Sequence, residues 1–246
     1  MTGAFINALG ILIGALFGLA MLKPLSLRAQ LFFRSALGTF TVFFGVQLVW
    51  MGMTGTFYAM LKQMFVVAAG VTLGFWLGRL LRLQKLSNRL GRYAGNLVMS
   101  AQTGPPRKMT DGFTACTILF CAAPLGLLGA VTDGLPMGDS GFGFFYLLVV
   151  KAVMDGLAMT GFVRVFGWPC ALAAFPVFGL FSGITLVCQV WARPYLETHG
   201  LVPPVYAAAG FIACAIALMI FEVRRVELAN YLPALAVVPL LACWLK

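Results

Sequence analysis

Charge is what this sequence has least of. Only 10% of its 246 residues are Asp, Glu, Lys or Arg, against about 25% in a soluble domain. Most of the chain therefore has no water to face. Acid is scarcer still, with seven Asp and Glu against 17 Lys and Arg, a net charge of +10. There is a single histidine, His199, in an expected loop, which leaves no basis for a metal cluster. No Cys-x-x-Cys pair occurs among the six cysteines, and all six fall inside apolar runs, where cysteine acts as a small buried hydrophobe. A Gly-rich phosphate loop and a Ser/His/Asp arrangement are also missing. These absences argue against an enzyme: no catalytic residue, metal or cofactor is expected.

What is present is apolar. Hydrophobic residues make up 61% of the chain, and the mean hydropathy is +0.97. A membrane helix needs about 20 such residues to cross about 30 Å of hydrocarbon. That length places helices near Gly3–Leu22, Leu31–Met53, Gln63–Leu83, Gly112–Val131, Phe142–Arg164, Trp168–Trp191 and Pro203–Phe221. A last run, Leu228–Leu245, is short and carries Pro233 and Pro239; it either spans or turns back. The expected fold is an all-α integral membrane bundle of seven to eight helices, one domain over 1–246 with no soluble part left over.

The basic residues lie between the runs. The first, third, fifth and seventh loops hold thirteen of them: Lys23, Arg28, Arg34, Arg79, Arg82, Lys85, Arg89, Arg92, Arg107, Lys108, Arg164, Arg224 and Arg225. The other loops hold only Lys62 and Arg193, and the fourth carries Asp133 and Asp139. The positive-inside rule then puts the odd loops in the cytoplasm and the N-terminus outside. The first helix starts almost at Met1 with its basic residues after it, the pattern of an uncleaved helix. No basic domain exists to hold nucleic acid, so that partner is not expected.

Within the third loop, Leu83, Leu86, Leu90, Tyr93 and Leu97 recur at spacings of three and four, with Arg82, Lys85, Arg89, Arg92 and Asn96 on the polar side. This predicts an amphipathic interfacial helix over 84–101 on the cytoplasmic surface, its cations on anionic lipids, or else a solvated extension of the third helix. Gly104-Pro105-Pro106 then breaks the chain. Gly10, Gly14 and Gly18 on the first helix, and Gly70, Gly74 and Gly78 on the third, form flat stripes that suit close helix packing within one chain or in a homo-oligomer.

Ionisable groups inside the bilayer cost several kcal/mol unless paired or hydrated. The fifth helix has two, Lys151 and Asp155, four residues apart on one face. Transporters place substrate and ion sites at that depth. The plainer reading is a paired structural strut. Asn7, Thr117, Asn230 and Asp133 are candidate partners, alongside Thr114, Gln47, Ser182, Thr185 and Gln189. Pro124 and Pro176 fall inside the fourth and sixth helices. Each removes a backbone donor, and broken helices of this kind carry sites in several transporter folds.

Gly3…Asn7…Ile11…Gly14…Gly18, Leu119-Phe120-Cys121, Asp133-Gly134, Lys151-x-x-x-Asp155-Gly156 and Ala229-Asn230-x-Leu232-Pro233-Ala234-Leu235 together resemble the bacterial inner-membrane family known as domain of unknown function 554. The resemblance covers nearly the whole chain and implies a multi-pass protein of the bacterial cytoplasmic membrane. One departure is Ser182-Gly183, where the family often has Gln-Gly. The residues thus lead to a small secondary transporter or permease for an unidentified ion or polar solute, with its site at Lys151 and Asp155. The alternatives are a non-transporting scaffold whose ion pair is structural, and a passive channel. A polar cavity reaching Asp155 favours the transporter; a dry, closed pair favours the scaffold.

Overall fold

The computed structural model describes residues 1–20, 26–53, 55–103, 109–135, 143–224 and 226–245. Lys23, Gly104-Pro105-Pro106, Arg107, Lys108, Asp139 and Arg225, which the sequence reading used, lie outside the described residues.

Eleven α-helices follow one another among the described residues: α1 Thr2–Ala20, α2 Leu27–Gly52, α3 Phe57–Leu80, α4 Leu83–Thr103, α5 Met109–Cys121, α6 Pro124–Gly134, α7 Tyr146–Phe166, α8 Ala174–Val187, α9 Arg193–Thr198, α10 Val202–Ile220 and α11 Ala234–Trp244. Six described helices are long and apolar enough to cross a bilayer, and α5 with α6 forms a seventh candidate bent by 58°. The fifth of those six runs unbroken over Trp168–Thr198: a 3-10 turn (Trp168–Ala173), α8, a wide π turn (Cys188–Ala192) and α9. A shorter apolar stretch, Leu228–Trp244, ends the chain. With its exposed apolar exterior, including Phe17, Phe43, Trp50, Phe65 and Trp76, this is an α-helical multi-pass membrane protein.

The long helices pair through glycine. A Cβ on Gly10 would lie 2.5 Å from the Ala152 carbonyl oxygen, and one on Gly14 would overlap the Gly156 backbone. Gly18 meets Thr160 in the same register, so α1 runs parallel to α7. Gly45 and Gly52 of α2 meet Gly210 and Ala207 of α10, and Gly74 and Gly78 of α3 meet Ala234 and Asn230. Numbering rises on one helix as it falls on the other, so both pairs are antiparallel. In lipid no hydrophobic drive separates helices from tails, and close backbone approach supplies the attraction instead. The stripes of α1 and α3 are thus covered within the chain.

Helix α4 departs from a simple surface helix. Leu83, Leu90 and Leu97 are half-buried and Ala94 is fully buried, but Leu86 and Tyr93 are exposed. Part of the apolar face is docked on protein. The elbow between α3 and α4 is turned by Arg82 at φ 56, a left-handed conformation that a non-glycine residue adopts only when its surroundings hold it. Here a clamp does so. The Gln84 N–H donates to Asn230 Oδ1 (3.0 Å), the Ala229 N–H donates to Gln84 Oε1 (3.1 Å), and Asn230 Nδ2 donates to Glu227 Oε2 (2.7 Å).

Candidate functional site

The two prolines singled out in the sequence behave differently. Pro176 sits in the first turn of α8, where a missing N–H removes no helical bond. Pro124 opens α6 after a break at 122–123. A break inside the membrane leaves carbonyls of α5 and N–H groups of α6 without intrahelical partners. The Ala122 N–H still reaches Ile118 O (2.9 Å), and the Gly126 N–H turns back to Ala123 O (3.0 Å). Ala123, the N-cap of α6, provides no side-chain cap.

Lys151 lies against this break. A Cβ on Gly126 would come 2.5 Å from Lys151 Cε, so the side chain crosses the α6 backbone where only hydrogen leaves room. Its ammonium is 2.5 Å from Asp155 Oδ2. It also sits 5.8 Å from the Phe120 ring centroid and 5.4 Å from that of Phe181, within cation–π range. Lys151 is 2% exposed and Asp155 7%. Helix α7 spans Tyr146–Phe166, so its middle falls beside Asp155, with Lys151 one turn nearer the Asp133 end.

Around the pair, hydrogen bonding is incomplete. Asn7 is fully buried on α1 and within side-chain reach of the Asp155 carboxylate, yet neither its Oδ1 nor its Nδ2 forms a hydrogen bond of good geometry. The Thr117 hydroxyl on α5 is buried and unpartnered too. One turn along α5 is Cys121, whose thiol lies within electrostatic reach of both Lys151 and Asp155. Unsatisfied buried polar atoms are rare in native structures and each asks for an explanation, such as a water or ion.

The remaining candidates lie elsewhere. Asp133 closes α6 at the α1 N-terminus: its Oδ2 accepts from the Gly3 N–H (3.2 Å) and lies 3.0 Å from the Met1 amino group. That carboxylate caps a helix start, a favourable place for negative charge. Nine residues of α7 separate its level from Asp155, about 13 Å of helix. Thr132 Oγ1 donates to Phe144 O (3.0 Å) and Thr185 Oγ1 to Ala130 O (3.1 Å), tying the same junction. Asn230 belongs to the α4 clamp and does not face the pair. Thr114 and Ser182 donate to carbonyls of their own helices. Gln47 lies on α2 and Gln189 in the π turn.

The pair is closed. Neither Lys151 nor Asp155 lines any of the described cavities. A cavity walled by Gln30, Arg34, Arg164 and Glu222 reaches Met154, Leu157 and Ala158 beside Asp155 on α7, and another reaches Pro124 at the break. Sequence reasoning missed Gly126 and Phe181, which shape the space around the ammonium. Glycine two residues after a mid-helix proline was the signal for the first; nothing local marks the second. The Tyr206 hydroxyl, buried and unpartnered, was missed as well; it lies within electrostatic reach of Asp133.

Comparison with known proteins agrees with the motifs. "Uncharacterized protein YqgA" of Escherichia coli (strain K12) is 26% identical over 244 residues, 98% of this chain and 97% of that one. "Uncharacterized membrane protein YdfK" of Bacillus subtilis (strain 168) is 24% identical over 241 residues, 97% and 94% respectively. No solved structure gives a significant match. The profile described as "Protein of unknown function (DUF554)" matches residues 2–243, and the chain therefore belongs to that family.

Proposed function

We propose that the chain is a small secondary transporter or permease of the bacterial cytoplasmic membrane, with its ion or solute site at Lys151–Asp155. The observation that carries the reading is the meeting of a mid-helix ion pair with the break between α5 and α6. Discontinuous helices expose backbone carbonyls and N–H groups at membrane depth, and transporters use such ends to hold substrates and ions. The unpartnered Asn7 amide and Thr117 hydroxyl add neutral ligands beside the pair. In this reading the closed pair is the occluded state. Asp155 releases Lys151 to take a proton or cation, and the freed ammonium accepts an anion or tunes the carboxylate.

The relative helix directions support eight crossings, and the distribution of basic residues supports an N-terminus outside. α1 and α7 are parallel, while α2 with α10 and α3 with α11 are antiparallel. Alternation requires those directions when α5–α6, Trp168–Thr198 and Leu228–Trp244 each cross once. The basic α4 then faces the cytoplasm.

One observation favours a scaffold instead: the pair is satisfied at 2.5 Å and lines no described cavity. The two readings part in proteoliposomes holding a pH-sensitive dye and challenged in turn with sodium, potassium, chloride and phosphate gradients. The transporter gives flux or a coupled pH change with at least one of them. Asp155→Asn abolishes it while the purified protein keeps its helical circular dichroism. Absence of flux with every gradient, from protein shown to be folded, supports the scaffold.

A further inference from the structure

A second polar region touches the α5–α6 break at Pro124. A cavity of about 920 Å³ opens between α4, the first residue of α6, the end of α10 and the segment before α11. Lys85, Arg89 and Arg92 line one wall, with Gln84 and Asn88 beside them; Pro124 and Leu228 are among the apolar residues opposite. The three cations fall at positions i, i+4 and i+7, on one helical face, where like charges repel.

Nothing on α4 offsets that repulsion. The chain contains no Asp or Glu before Asp111, no acid lines the cavity, and among the described residues none of the three cations is in an ion pair. The nearby Glu227 is held by Asn230 Nδ2 (2.7 Å). Surface helices ordinarily intersperse both signs of charge. Across the cavity α6 begins without a side-chain cap, and the N-terminal end of a helix carries partial positive charge. Every charged side chain that lines the space is positive, and the space is large enough for a small ligand.

We infer that this cavity binds an oxyanion, specifically a phosphate or phosphate-ester group, held by Arg89 and Arg92 with Lys85 as a third contact. Arginine suits the part because its planar fork engages two phosphate oxygens at once. The group belongs either to a free solute or to the headgroup of an anionic lipid. The inference concerns binding alone and stands whether or not the chain transports.

Thermal unfolding of the purified full chain in a neutral detergent tests it in two arms. The first compares inorganic phosphate with potassium chloride at matched ionic strength. The second compares short-chain phosphatidylglycerol with short-chain phosphatidylcholine. A rise in Tm in either arm is expected, and the responding arm identifies the source. The double variant Arg89→Gln/Arg92→Gln weakens the apparent Kd about a hundredfold, since each lost charge-assisted contact is worth about tenfold. Lys62→Gln, on α3 far from the cavity, leaves the response unchanged. If the double variant does not accumulate, Lys85→Gln alone is read for a smaller weakening. No rise in either arm, or an equal rise in wild type and the Arg or Lys85 variants, overturns the inference.

Discussion

Two buried aspartates show how this chain uses the same chemistry in opposite ways. Asp133 is 6% exposed and Asp155 7%, and both sit among tightly packed helices. Asp133 is spoken for by the start of α1, and the threonines beside it are bonded to backbone carbonyls. Asp155 has a charged partner, but the amide it faces and a hydroxyl on the neighbouring helix have none. In the first region the Tyr206 hydroxyl is left without a partner. The second holds spare donors and acceptors next to a broken helix. Burial does not tell the two acids apart; their surroundings differ, a helix start at Asp133 and an ion pair beside a broken helix at Asp155.

The comparison can be broken most severely at the ion pair. Lys151→Ala or Asp155→Ala leaves an uncompensated charge in the bundle and should lower unfolding stability by about 3–5 kcal/mol, read as a fall in Tm. The double change Lys151→Met/Asp155→Leu should recover most of that loss, because well-packed apolar residues replace buried ion pairs at little net cost. A double variant as unstable as the singles would mean that the pair's attraction carries the fold.

Next in size is the packing beneath the pair. Gly14→Ala forces a methyl group into the Gly156 backbone, and overpacking of this kind costs about 1–3 kcal/mol. Gly95→Ala on α4 meets no atom within 4 Å and should stabilise by up to about 1 kcal/mol through helix propensity. Thermal melts of the two variants should move in opposite directions.

Smaller effects sharpen the contrast between the aspartates. Asp133→Asn keeps an acceptor for the Gly3 N–H and loses only the charge, so it should cost about 1 kcal/mol and leave any flux intact. Asn7→Leu removes polar atoms that have no partners, so its stability should stay within about 1 kcal/mol of wild type, while flux disappears. A large loss of stability in Asn7→Leu would show that its amide is satisfied in the membrane and would remove it from the site.

Much of this was legible beforehand, for identifiable reasons. Run length set the ends of α1, α2, α7 and α10 to within about four residues, because hydrocarbon thickness sets the number needed; α3 begins at Phe57, before the expected Gln63, and the run from Trp168 continues past Trp191 to Thr198. The Lys151–Asp155 pairing followed from helical spacing. The fates of Pro124 and Pro176 did not. Both read as mid-helix prolines, but a 3-10 turn that starts after Gly167, at φ 83, places Pro176 in the first turn of α8. Asn230 read as a candidate for the pair, since depth in the membrane is visible in sequence and direction around the bundle is not. Gly126 escaped notice because its neighbour across the gap is a side chain from a helix 25 residues away.

The pairing of α1, α2 and α3 with α7, α10 and α11 bears on how the protein is made. During synthesis the first helix leaves the ribosome on the order of ten seconds before α7 begins to emerge. Until then its glycine face has only lipid, or the insertion machinery, to lie against. The N-terminal half is thus a set of grooves awaiting their ridges, and a chain truncated before Tyr146 should remain an unassembled group of helices, open to membrane quality control.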